Sequence, residues 1–204
     1  MIASSSLGRT DRRTVLFLEG PASPIFGRIA DRLTERGHAV RHICFCLGDA
    51  VFWSVLTGRR GTGAPPRRRS DWYRGRREDW PAHLDAYCAR EGVTDVVMLG
   101  DGRPVHAAAV EVAMARDIRI HVVEHGYLRP DWLTVEPDGM SGYSRFPLDP
   151  AEIRAAAAGL PPVPTKAPWP SSFLVYALLD LAYHLPNVAL GRLVHPNYRT
   201  HGPV

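Results

Sequence analysis

The run TVLFLEGPASP, Thr14–Pro24, is an apolar stretch that breaks on Gly and Pro and hands over to a helical pattern. Ile25, Phe26, Ile29, Ala30 and Leu33 recur at helical spacing within Ile25–Arg36, and Gly37 supplies the stop. The same order returns three times. AVRHICFCLGD (Ala39–Asp49) is the second apolar run. DVVMLGDGRP (Asp95–Pro104) is the third, followed by an Ala- and Val-rich helix over Val105–Arg116. IRIHVVEHGYLRP (Ile118–Pro130) is the fourth. Strands alternating with helices of about a dozen residues argue βαβ units, hence an α/β, Rossmann-like parallel sheet over residues 14–150.

The flanks and one insert read differently. Residues 1–13 have no apolar core that would mark a signal peptide, and are expected to form a disordered terminus. Residues 57–80 carry RRGTGAPPRRR and DWYRGRREDW, a Gly-, Pro- and Arg-rich insert in which a packed core is not expected. A short helix is expected over Ala82–Arg90. Beyond Pro150 come an Ala-rich helix (Ala151–Leu160), the stiff Pro-rich linker PPVPTKAPWP, and an apolar helix from Phe173 to Leu185 that Ser171 or Ser172 can cap and Pro186 should end. That helix is too short and too polar to span a bilayer. Residues 151–204 therefore read as a linker and helix leading toward a second domain missing from this chain.

Composition sets outer bounds. The net charge of +4 favours anionic partners without naming one. Cys44, Cys46 and Cys88 are odd in number and fit neither a disulfide framework nor a zinc knuckle, so buried thiols in a reducing compartment are expected. No metal site is expected, because His121 and His125 stand four apart on a strand and turn rather than on one helix face. Phosphate-loop and nucleophile-elbow motifs are absent.

Open parallel sheets bind ligands beyond the carboxyl ends of their strands. That rule singles out Glu19-Gly20-Pro21, Gly48-Asp49, Gly100-Asp101-Gly102-Arg103-Pro104 with His106, and Glu124-His125-Gly126 with Arg129. Gly48-Asp49 reads as an ordinary turn. The last two ends each join an acid, an Arg and a His within a few residues, and should share one pocket. Arginine forks suit phosphate or carboxylate oxygens, and carboxylates serve as acid, base or nucleophile in glycosyl chemistry. The candidate catalytic residues are Glu124, Asp101, His125 and His106. The candidate binding residues are Gly20, Pro21, Arg103, Gly126 and Arg129.

The blocks FLEGPASPIFGRIADRLTERGH, DWYRGRREDWPAHLD, LGDGRPVHAAAVEVA and VVEHGYLRPDWLTVEPDGMSGYS resemble the capsule polysaccharide biosynthesis/export family, within it the S-type, KpsS/LipB-like members. The resemblance runs from Thr14 to about Pro150 and more weakly to the C-terminus. It implies the N-terminal half of a two-domain, GT-B-type glycosyltransferase with its site between two Rossmann-like halves. The implied enzyme is cytoplasmic, with peripheral contact at the inner face of the cytoplasmic membrane. It would transfer Kdo (3-deoxy-D-manno-octulosonic acid) from the donor CMP-Kdo, with no further cofactor, to an anionic phospholipid acceptor, starting the linker that anchors capsule.

A β-linked product from a β-configured donor means retention, which calls for a carboxylate nucleophile, Glu124 or Asp101. His106 and His125 are then candidates for proton transfer. Relatives often carry a second acid where this chain has His125, so the roles of the carboxylates stay open. Other capsule assembly proteins are possible partners and nucleic acid is not expected. The alternative is a non-catalytic assembly or export partner, or an inactive fragment.

Overall fold

A computed structural model describes residues 12–54, 69–126, 132–162 and 172–194. The expectations for residues 1–11, for Arg59, Arg60, Arg67 and Arg68, for Arg129, and for most of the Pro-rich linker and the tail lie outside the described residues.

Six strands form one sheet in the order β3-β2-β1-β4-β5-β6. They are β1 (Thr14–Leu18), β2 (Ala39–Cys44), β3 (Asp71–Trp72), β4 (Asp95–Leu99), β5 (Arg119–His125) and β6 (Leu133–Pro137). The first five are parallel, and β6 returns antiparallel on β5 with Val123 opposite Val135. The strand order is that of a Rossmann-like, doubly wound sheet.

Alternation along the strands fills both faces. Leu16, Leu18, Val96, Met98, Ile120 and Val122 point to a core closed by α3 (Trp80–Glu91) and α4 (Pro104–Ala115). Val15, Phe17, Val97 and Val123 point to the other face, under Phe26 and Ala30 of α1 (Ile25–Glu35) and Trp53 of α2 (Leu47–Ser54). A sheet covered on both sides needs apolar residues at every strand position, which is why the strands read as continuous apolar runs.

Several expectations are corrected. The second apolar run does not continue as strand to Asp49. It stops at Cys44, and Leu47 starts α2, because the Asp49 carboxylate accepts the backbone N–H groups of Phe45 and Cys46 at 3.0 and 3.2 Å and turns the chain. The second half of the basic insert joins the core: β3 pairs with β2, and Tyr73 and Trp80 pack edge-on against Phe45. Aromatic bulk outweighs the local Gly and Arg content there. Trp80 also anchors the start of α3, two residues earlier than expected, by donating from Nε1 to the Val105 carbonyl at 2.9 Å.

The apolar helix does not stop at Pro186. As α6 it runs Phe173–Val194, held to α2 on both sides of the proline. Tyr183 is buried against Phe52, and Asn187 Oδ1 accepts the Gly48 N–H at 3.1 Å. Tertiary contacts override the hydrogen bond that proline removes. The Ala-rich helix is α5 (Pro150–Ala157), capped by Asp149, whose Oδ1 accepts the Ala151 N–H at 2.8 Å. No helix among the described residues is long and apolar enough to cross a membrane.

Candidate functional site

The chain leaves β1 toward β2 on one side and returns through β4 on the other, so the crossovers diverge and open a crevice at the carboxyl ends of β1 and β4. Glu19 follows β1 in the left-handed region (φ +53°), which turns its side chain under the sheet edge, where it is only 2% exposed. Gly100 follows β4 at φ +68°, a conformation that favours glycine. The chain then enters α4 through Arg103, extended at the N-cap, and Pro104, whose lacking N–H suits the first helical position.

These turns bring three side chains together. Arg103 donates to Glu19 Oε2 in an ion pair that leaves 31% of the Arg103 side chain exposed. His106, in the first turn of α4 and fully buried, donates from Nδ1 to the Gly100 carbonyl at 2.8 Å. That bond fixes the ring so that Nε2 faces Glu19 Oε2 at 3.3 Å, yet Nε2 has no hydrogen-bond partner among the described residues. Burial pulls the His106 pKa below its ordinary value. The Glu19 charge opposes this, Arg103 reinforces it, and the Gly100 carbonyl and Asp101 oppose it more weakly. Burial thus favours the neutral ring.

Beneath Glu19 lies His42 of β2. Its Nε2 donates to the Glu19 carbonyl at 2.9 Å, its Nδ1 accepts from the Ser70 hydroxyl at 2.8 Å, and its ring stacks on Trp53 at 4.3 Å. Burial, only partly offset by the Glu19 carbonyl and Asp71, lowers its pKa to about 4. Gly20 and Pro21 line a small pocket beside it, together with Phe26 and Trp53.

The other candidates divide. Asp101 lies at the β4 end, and its Oδ2 accepts the Met140 N–H at 2.9 Å, tying down the loop after β6. Glu124 sits on the neighbouring strand end, exposed, with Oε1 3.8 Å from where a Cβ on Gly100 would stand. His125 is exposed beside it. Gly126 is expected to let backbone approach a ligand, but the close approach is to the chain itself: its N–H donates to the Trp132 carbonyl at 2.6 Å, and a Cβ there would stand 2.5 Å from Trp132 Cβ. Arg129 lies outside the described residues.

Glu19 is singled out in the sequence at its strand end but is given no catalytic or binding role there, and His42 is not singled out at all. A lone acid ending the run TVLFLEG was the available signal for Glu19, since nothing apolar is needed where a strand leaves the core. Nothing local marks His42, whose partners come from distant segments. Among the described residues no three metal-ligating side chains come together. All three cysteines are free and buried, and burial raises the Cys88 thiol to about 11.

The family described as capsule polysaccharide biosynthesis protein matches residues 94–204. The chain is 30% identical over 133 residues to the capsule polysaccharide modification protein LipB of Neisseria meningitidis, in serogroup A and serogroup B strains alike, covering 65% of this chain and 29% of the relative. It is 31% identical over 150 residues to the capsule polysaccharide export protein KpsS of Escherichia coli, covering 74% of this chain and 34% of the relative. The chain thus spans about a third of the length of the curated relatives it matches. The family match takes in the whole of β4, α4 and β5 and extends over more than half of the sequence, and the chain belongs to the capsule polysaccharide biosynthesis protein family.

Proposed function

We propose that this chain is the sugar-transfer half of a capsule polysaccharide enzyme that moves Kdo from CMP-Kdo to an anionic phospholipid acceptor at the inner face of the cytoplasmic membrane. The observation that carries the reading is the meeting of Glu19, Arg103 and His106 at the switch point, with Glu124 on the next strand end. Both parts of the donor are anionic, and a guanidinium at a helix N-terminus in a crevice is a fitting receptor for them.

The two carboxylates proposed as nucleophile are not equivalent. Asp101 already holds the Met140 amide, whereas the Glu124 side chain is exposed and its carboxylate hydrogen-bonds to none of the described residues. That favours Glu124 for attack on the anomeric carbon. The C–O bond to the CMP phosphate would break as the Glu124 oxygen bonds to the sugar, and an acceptor oxygen would then displace Glu124 with loss of its proton. Exposed Arg74, Arg76 and Arg77 support contact with anionic lipid. Tyr73, in the same stretch, takes no part in such contact: it is 2% exposed and part of the core.

The test is turnover of CMP-Kdo by a full-length family member carrying these motifs. The residue equivalent to Glu124, changed to Gln, is expected to lose at least about a hundredfold in turnover with the fold intact. Near-normal turnover would remove Glu124 from the role, and no turnover of CMP-Kdo by the unaltered enzyme would remove the donor.

A further inference from the structure

We propose that α6 is an interface between two copies of this chain, paired antiparallel along a stripe of leucines. The inference stands apart from the sugar-transfer reading and uses none of the residues at the strand ends.

α6 has two apolar faces. One is docked on α2: Leu179 packs there, Tyr183 is fully buried beside Phe52 and donates from its hydroxyl to Asp49 Oδ1, and Asn187 holds the Gly48 amide. Residues four apart return to the same side of a helix, so these three share one face. Leu174, Leu178, Leu181 and Leu185 form a second stripe at 4-3-4 spacing. At 3.6 residues per turn, that stripe lies about 180° from the docked face. Its leucines are 65, 55, 55 and 58% exposed. A helix that is apolar on opposite sides is ordinarily covered on both, and exposure of this size leaves the second side open among the described residues.

A second copy is the occupant that fits the stripe. The 4-3-4 spacing reads the same in either direction, so an antiparallel copy meets it in register. Leu174 then stands opposite Leu185, and Leu178 opposite Leu181, about a two-fold axis. This is the spacing of a coiled-coil seam. The same register sets Ala177 against Ala182 on the margins, where small side chains let the helices approach closely. Between Ser172 and Asn187 the acidic and basic side chains are Asp180 and His184, which face each other at 3.5 Å. They fall opposite Leu179 and Val175, so no like charges meet. Because α2 lies on the far side of each helix, the two bodies stay outside the pair.

The area is sufficient for a reversible dimer. Phe173 and Val175, beside the stripe, are 86 and 52% exposed. At roughly 150–200 Å² for each side chain when fully open, these two and the four leucines offer on the order of 600 Å² per copy. A two-fold pair then buries on the order of 1,200 Å², the lower end of what a specific interface needs.

Sedimentation equilibrium of the 204-residue chain tests this from about 1 to about 100 µM. The mass is expected to rise from one chain to two, with a midpoint on the order of 10 µM. Leu178→Glu with Leu181→Glu would set carboxylates against one another in the seam. It should hold the chain at one mass throughout, at least a tenfold loss of affinity, with its helical circular dichroism unchanged.

Should that variant not fold, cysteine crosslinking gives a second answer. A mixture of Leu174→Cys and Leu185→Cys copies should oxidise to the mixed dimer, and neither variant alone should crosslink appreciably. A single mass at about 100 µM, association unchanged by the two glutamates, or crosslinking of Leu174→Cys with itself in place of the mixed dimer would each overturn the proposal. So would a chain that stays monomeric but floats with phosphatidylcholine vesicles until the leucines are changed, which would assign the stripe to lipid.

Discussion

The two ends of β4 carry nearly the same residue types and do opposite things with them. At the amino end, Asp95 is 2% exposed and every oxygen is used. Arg119 forks onto it at 3.0 and 3.2 Å, His121 Nε2 donates at 3.0 Å, the Thr94 hydroxyl at 2.7 Å, and Arg13 at 3.4 Å. At the carboxyl end, Glu19 is as deeply buried, but one Arg serves it and its His neighbour keeps an unmatched nitrogen. An acid, an Arg and a His therefore say little about function until their hydrogen bonds are counted. The finished cluster ties β4 to β1 and β5. The unfinished one stands where the fold opens a crevice.

The largest expected effect separates the ends by redundancy. Arg103→Ala leaves Glu19 buried with no cation and should cost about 3 kcal/mol or more in urea unfolding. Arg119→Ala leaves Arg13 and His121 on Asp95, and Arg119 is itself half exposed, so about 1 kcal/mol or less is expected. Equal losses would erase the distinction.

Acid should reach the two ends in separate windows. His42 has its folded pKa depressed to about 4. Its contribution is fully present above the unfolded value of about 6.5 and is lost as pH falls from there toward about 4, on the order of 3 kcal/mol in all. His106 acts in the same direction. Burial alone would raise the Asp95 pKa, but hydrogen bonds from His121, Thr94 and Arg119 outweigh it and hold it low. That end therefore keeps its contribution until pH falls to the ordinary carboxylate range, and loses it as pH drops further through the depressed folded value. Unfolding midpoints against pH should show the first loss beginning near about pH 6.5, and His42→Gln should flatten it.

The smallest effect per residue asks whether anion affinity is confined to the crevice. Flotation with phosphatidylglycerol vesicles should weaken when Arg74, Arg76 and Arg77 are changed to Ser, by about 1 kcal/mol per charge at low salt. Unchanged flotation would leave those arginines as solvated loop.

Much of this fold was legible because a buried parallel sheet writes apolar runs followed by turns and helices, as at Thr14–Glu35 and Asp95–Ala115. What escaped depended on long-range partners. β3 is two residues long and exists through its pairing with Ile43 and Cys44. α6 passes Pro186 because Tyr183 and Asn187 are held by α2. For the site, strand ends named Arg103 and His106, since turns at the carboxyl edge are marked by Gly and Pro. Glu19 gained its role only from residues more than 80 positions away, which no local pattern carries.

The central claim is that the carboxyl end of β4 is the ligand site and the amino end is structural. Amide and methyl NMR shifts of the 204-residue chain, titrated with CMP, test it most directly. The account expects movement at Glu19, Gly20 and Gly100–His106, with Asp95, Arg119 and His121 unmoved. Shifts centred on Asp95, or none at either end, would contradict it.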